Sequence, residues 1–157
     1  MIYVFDNSSL RVLCESYYPQ RFPTLWEKFD VLVSGGQITS VREVYNEIMK
    51  WNPNRRLVQW AQNNKQLFPP STPEELDFVK QIFSVPHFQT LIEHKKILQG
   101  TPVADPFVIA KAKIENGVVV TQETFKDNAA RIPNVCKHFS VEYTDLEGFM
   151  EGEGWKF

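Results

Sequence analysis

Residues 1–10 read MIYVFDNSSL, and this stretch decides the fold. Ile2 to Phe5 form an unbroken apolar run rich in strand-forming residues. Such a run suits a strand buried on both faces, as in a parallel sheet covered by helices. Asp6, Asn7, Ser8 and Ser9 follow at once, and a helix is expected from Leu10 to Tyr17. A strand that ends on Asp and turns directly into a helix places a carboxylate at the carboxyl edge of the sheet, where open α/β folds build their sites. The plainer reading, in which Asp6 or Asn7 only caps the helix, stands level with it on these residues alone.

The rest of the chain sets the frame. Its 157 residues suit a single domain, 1–157, with a full core. With 43% apolar and 23% charged residues the composition is that of an ordinary globular domain, and no stretch is long and apolar enough to span a membrane. No basic stretch with an apolar core precedes the first strand, so a secretory signal is not expected. Cys14 and Cys136 have no metal-type spacing and are too few for a disulfide framework. A reduced, cytoplasmic setting is the expectation. The net charge of −2 does not mark a nucleic-acid binder, so any such contact needs a local basic patch.

Outward from the first strand, Thr24 with Glu27 reads as a capping box opening a helix to about Val33. Gln37 to Thr39 is a candidate short strand. Ser40 with Glu43 reads as a second capping box, and the helix it opens carries Val41, Val44, Tyr45 and Ile48 at helical spacing. Helices are expected over 55–64, from Thr72-Pro73-Glu74-Glu75 to Ser84, and over 87–98, so 53–98 reads as a helical insertion. Phe107 to Ile114 is an apolar helix behind Asp105-Pro106, and Asn116-Gly117 turns into the second buried strand, Val118 to Val120. A short helix over 132–139, a third strand at Val141 to Tyr143 and a last helix capped by Asp145 complete the chain. Strands alternating with helices imply parallel βαβ units.

Four acidic residues fall in comparable places. Asp6 and Glu123 follow buried strands, Asp105 opens an apolar helix, and Glu47 lies in the helix after the second strand. In a parallel sheet these positions collect at one edge. Two unit charges ~4 Å apart at an effective dielectric of ~20 repel by about 4 kcal/mol. Such a cluster persists if some members are protonated or if a divalent cation sits among them; Mg²⁺ and Mn²⁺ prefer oxygen ligands. Each residue also has a structural reading. Asp105 before Pro106 makes a good helix cap and Glu43 has its capping box; Glu47, one turn further on, has no such duty and is preferred, with a solvated helix residue as its plainer reading and an ordinary loop carboxylate as that of Glu123. No glycine-rich loop follows either strand, which argues against a dinucleotide or P-loop site. His87, His94 and His138 lack ligand spacing, and Cys14 reads as core. An aspartyl-nucleophile phosphatase would want a second Asp where Ser8 stands.

The ordered set IYVFDNSSL, ITSVREVYNEI, ADPFVIAKA and VVVTQETF resembles the PIN domain, and within it the PIN-like group DUF4411, akin to the VapC toxins. The resemblance implies a three-layer α/β/α fold with a central, mainly parallel sheet. It implies a Mg²⁺- or Mn²⁺-dependent ribonuclease whose acidic positions fall on Asp6, Glu47, Asp105 and Glu123, as metal ligands and catalytic groups. It further implies an RNA substrate, a cognate antitoxin and a homodimer. Glu123 departs from the Asp more common at its position, and Asp127 is the one candidate for the further acidic residue often found beyond it. Thr121 is placed to support the ligands from behind. Arg42, Lys50, Arg55, Arg56, Lys111 and Lys113 are candidates to meet the RNA backbone. The competing reading is a non-catalytic module of the same fold, and whether the four carboxylates converge separates the two.

Overall fold

The computed structural model describes residues 1–100 and 102–157. Four short parallel strands form the centre: β1 (Tyr3–Phe5), β2 (Ile38–Thr39), β3 (Val118–Val120) and β4 (Glu142–Thr144). Their order is β2-β1-β3-β4, with Tyr3 opposite Ile38 on one side and Val118 on the other. Every residue of β1 and β3 is buried, as their two-sided apolar sequence requires, whereas Glu142 and Tyr143 on the edge strand β4 are exposed. β4 starts one residue later than expected, because Val141 is a buried lead-in that donates its N–H to Cys136 O.

The helices are α1 (Asn7–Ser16), α2 (Pro23–Ser34), α3 (Arg42–Ile48), α4 (Arg56–Asn63), α5 (Pro73–Phe83), α6 (Pro86–Gln99), α7 (Asp105–Glu115), α8 (Ile132–His138) and α9 (Leu146–Gly152), with a 3₁₀ turn at Lys65–Leu67. The insertion is helical, as expected, and it is tied to both halves of the domain: α4 packs on α1, and α5 packs on α7. Edge-to-face pairs of Phe5 with Phe29 and Phe149, at 5.7 and 5.1 Å between ring centres, fill the core beside β1. Asn116 ends α7 in the left-handed region (φ 52°), and Gly117 then passes so close to β1 that a Cβ would sit 2.5 Å from Ile2 O.

Three local expectations differ, each for a physical reason. Ser40 does not cap α3; its hydroxyl donates across the sheet to Phe5 O at 2.7 Å, and Val41 takes the cap position without a side-chain bond. Glu43 therefore closes no capping box. It is buried, with Oε1 unpartnered and Oε2 3.5 Å from Arg42 Nε. Thr24 is already inside α2, because Pro23 occupies the first turn, where a missing N–H costs nothing. Asp105 is the first residue of α7 rather than its cap; Ala104 is the cap residue, and no side chain caps this helix. The Thr72–Glu75 capping box and the Asp145 cap are present as expected.

Lys111 is buried rather than turned to solvent. Its ammonium lies 3.4 Å from Glu75 Oε1, joining α7 to α5, so it does not face a ligand backbone. Lys113 donates to Phe139 O at 3.3 Å and, with Asn116 and Gly117, lines a cavity at the opposite, amino edge of the sheet.

Candidate functional site

Asp6 stands one residue beyond β1 and is 4% exposed. Its carboxylate is the N-cap of α1, accepting from Ser9 N at 2.8 Å, so the capping and site readings describe the same group. Ser8 Oγ donates to it at 2.9 Å, Ser9 Oγ stands 2.9 Å from Oδ1, and Thr121 Oγ1 donates to Oδ2 at 2.6 Å. Thr121 lies just beyond β3, and the ladder carries past the strands to hold it: Asp6 N bonds Val120 O and Thr121 N bonds Thr144 O. Two adjacent parallel strands therefore end on a carboxylate and the hydroxyl that orients it. The same Thr121 Oγ1 accepts from Glu123 N at 3.1 Å, and Ser8 Oγ accepts from Gln122 N at 2.9 Å, which tether the loop after β3 to the loop after β1.

Asp6, Glu47, Asp105 and Glu123 line one cleft of about 200 Å³, together with Asn7, Ser8, Arg11 and Trp51. Neither Glu43 nor Asp127 lines it. Burial raises the proton affinity of all four carboxylates; Asp6 raises that of the other three, and Asp105 that of the two glutamates. Glu47 is pushed up to about 7 by burial and then by Asp105. Glu123 is pushed up to about 7 by burial, Asp105 and Asp6. Asp105 is raised by burial and by Asp6, against the lowering effect of Lys95. For Asp6, burial outweighs its hydrogen-bond donors.

Lys95, which the sequence pattern did not single out, is the cation paired with Asp105. It reaches in from α6 to 3.4 Å from Asp105 Oδ2 and 3.4 Å from Ala130 O. Nothing in the spacing of 87–98 marks it, since its role depends on where the insertion lays α6 over the cleft. Ser8 and Ser9 carried a local signal, because hydroxyls in the first turn of a helix lie within reach of its cap carboxylate.

The donor set suits a hard divalent cation: oxygen ligands only, excess negative charge and raised proton affinities. As the side chains stand, no three His, Cys, Asp or Glu groups among the described residues close on one point. Glu47 Oε2 accepts from Gln99 at 3.3 Å and Glu123 Oε1 from Ile132 N at 3.3 Å. Ligation by all four would need these side chains to close on one point.

An all-parallel sheet flanked by helices, with acidic residues gathered at its carboxyl edge, defines a mixed α/β domain. The chain belongs to the family described as "Domain of unknown function (DUF4411)", whose model matches residues 3–157. No curated protein matches the sequence. In fold, the chain is similar to one in the crystal structure of VapBC2 from Rickettsia felis bound to a DNA fragment from their promoter, with a TM-score of 0.50 and 11% identity over 93% of this chain and 99% of that one. Among the described residues no helix is long and apolar enough to cross a membrane.

Proposed function

We propose that this protein is a Mg²⁺- or Mn²⁺-dependent endoribonuclease that hydrolyses RNA phosphodiester bonds, and the toxin of a type II toxin–antitoxin pair. The observation that carries the reading is the gathering of Asp6, Glu47, Asp105 and Glu123 on one cleft at the ends of the central strands. The toxin assignment and the antitoxin partner rest on the likeness in fold to a chain of VapBC2.

A bound divalent ion supplies a Lewis acid and a more acidic water. Asp6, Glu47 and Asp105 would hold it, with Glu123 closing the site. The chain's own part is to position and to exchange protons. Thr121, Ser8 and Ser9 fix the Asp6 carboxylate in one orientation. Glu123, which closes the site rather than holding the ion, is the group placed to trade a proton with water at the cleft. The Lys95 ammonium is placed to meet negative charge on a phosphate oxygen near Asp105. The test is RNA cleavage that requires the metal and fails in Asp6→Asn.

The second reading, a non-catalytic module binding a protein or RNA partner, is favoured by one observation: the acidic groups do not yet converge as a ligand set. Failure of Mn²⁺ to bind the folded protein would decide for it.

A further inference from the structure

Beyond the acidic cleft lies a second concavity that the chemistry above does not use. A groove of about 610 Å³ opens where the chain leaves α1 and meets α4, and its walls include Tyr18, Trp60, Arg21, Arg56, Gln59 and Asn63. We infer that this groove, with the arginine–tryptophan strip joining it to the acidic cleft, is a binding track for single-stranded RNA, its bases stacking on Tyr18 and Trp60 and its phosphates meeting Arg21 and Arg56. The inference rests on the ribonuclease reading of the cleft and deepens it.

Continuity is the first argument. Helix α1 begins at the cleft with Asn7, Ser8 and Arg11, and Tyr18 lies just past its other end. At 1.5 Å per helical residue the two are about 15 Å apart. The space between is furnished: Arg11 and Arg55 lie over the ring of Trp51, at 6.0 and 4.5 Å from its centre. Trp51 and Arg11 themselves line the cleft. Arg56, the next residue, lies over the ring of Tyr18 at 4.8 Å.

Charge is the second. A cleft lined by four carboxylates repels a polyanion, so a nucleic acid needs cations beside it. Arg55 is neutralised by a two-point bond to Glu15, at 2.7 and 2.6 Å. Arg11, Arg21 and Arg56 are exposed and form no ion pair among the described residues. In a chain of net charge −2, that concentration of unpaired guanidinium beside the acidic site is the local basic patch a nucleic-acid contact requires.

Chemistry is the third, and it favours a nucleic acid over a peptide. Rings alternating with guanidinium groups match the alternation of bases and phosphates along an unpaired strand. The amides of Gln59 and Asn63 beside the rings offer both donors and acceptors to base edges.

The experiment is fluorescence anisotropy of a fluorescein-labelled oligoadenylate of about ten nucleotides, with the full chain carrying Asp6→Asn, in EDTA, so that neither cleavage nor metal enters. Circular dichroism checks that each variant is folded. Tyr18→Ala should weaken binding roughly fivefold or more. The double change Arg21→Gln with Arg56→Gln should lower the slope of log Kd against log salt by about 0.7 per arginine removed. Lys80→Gln, an exposed change on α5 outside both cavities, should alter neither quantity. A duplex of the same length should bind more weakly. Wild-type affinity in Tyr18→Ala, an unchanged salt slope in the arginine pair, or equal binding of the duplex would each overturn the track. So would an acidic, aromatic-rich peptide that binds through Tyr18 where the oligonucleotide does not. The two readings fail separately. RNA bound through the track but never cut by the wild type with Mn²⁺ sinks the nuclease alone, and cleavage with binding indifferent to the variants sinks the track alone.

Discussion

Thr121→Val tests whether the two central strand ends work as one unit. The change keeps the shape of a buried side chain and removes one hydroxyl. That hydroxyl donates to Asp6 Oδ2 at 2.6 Å and accepts from Glu123 N at 3.1 Å. A hydrogen bond to a charged group contributes about 1.5–3 kcal/mol, and the Asp6 oxygen it serves is buried. A loss of ~2 kcal/mol in a chain of this length lowers Tm by roughly 4–8 °C. The loss should shrink as pH falls, because the lost donor favours the ionised form of Asp6, whose protonation makes it unnecessary. The assay is thermal unfolding by circular dichroism in EDTA at acid and at neutral pH, followed by a Mn²⁺ titration of the melting temperature. The variant should also need more Mn²⁺ than wild type, since Asp6 loses its fixed orientation and the Glu123 loop its tether. A Tm within about 1 °C of wild type at neutral pH, with unaltered Mn²⁺ dependence, would refute the idea that Thr121 positions the site.

Metal-free stability should fall as pH rises. Glu47 and Glu123 hold protons to about 7 in the folded chain against an ordinary 4.5, so the folded state binds more protons between these values. Their contribution is full below about 4.5 and is lost as pH passes about 7; after solvent screening it is on the order of 1–2 kcal/mol each, readable as Tm across pH 5–8. Mn²⁺ should raise Tm by binding only the folded chain, and Asp105→Asn should remove most of that rise, with isothermal titration as the direct check. Because Asp105 does not cap α7, the Asn variant should keep the helix intact by circular dichroism. Lys111→Met should cost about 3 kcal/mol by leaving Glu75 charged and buried, while Lys111→Met with Glu75→Gln should recover most of it, since Gln also closes a capping box; urea unfolding reads both.

Some of this was legible in the chain because it is local or repeated. Ile2–Phe5 and Val118–Val120 announced central strands, because residues apolar on both faces have no stable place in a half-exposed sheet. The Thr72–Glu75 box formed because both of its bonds are local, and Glu75 closes it with Oε2 while Oε1 meets Lys111. Ser40 did have one: Phe5 O, at the end of a neighbouring strand, is a partner 35 residues away that no short window contains. The freeing of Asp105 has a similar origin, since α7 begins at Asp105 itself and leaves the carboxylate to the cleft. Lys95 was illegible for the opposite reason. It sits on an unremarkable helix, and only the packing of the insertion brings it to Asp105. Lys111 looked solvent-facing by composition, but the burial of α7 against α5 turned it inward.

The most direct measurement of the central claim is cleavage of total cellular RNA and of tRNA by wild type, Asp6→Asn and Glu43→Gln, purified identically and assayed with Mg²⁺, Mn²⁺ or EDTA. Wild type and Glu43→Gln should cut internal phosphodiester bonds only with metal, because Glu43 does not line the cleft. Asp6→Asn should stay folded, since Asn also caps helices, and should not cut. Cleavage that survives EDTA or Asp6→Asn would contradict the account, as would intact RNA under both metals from protein free of any co-purified partner.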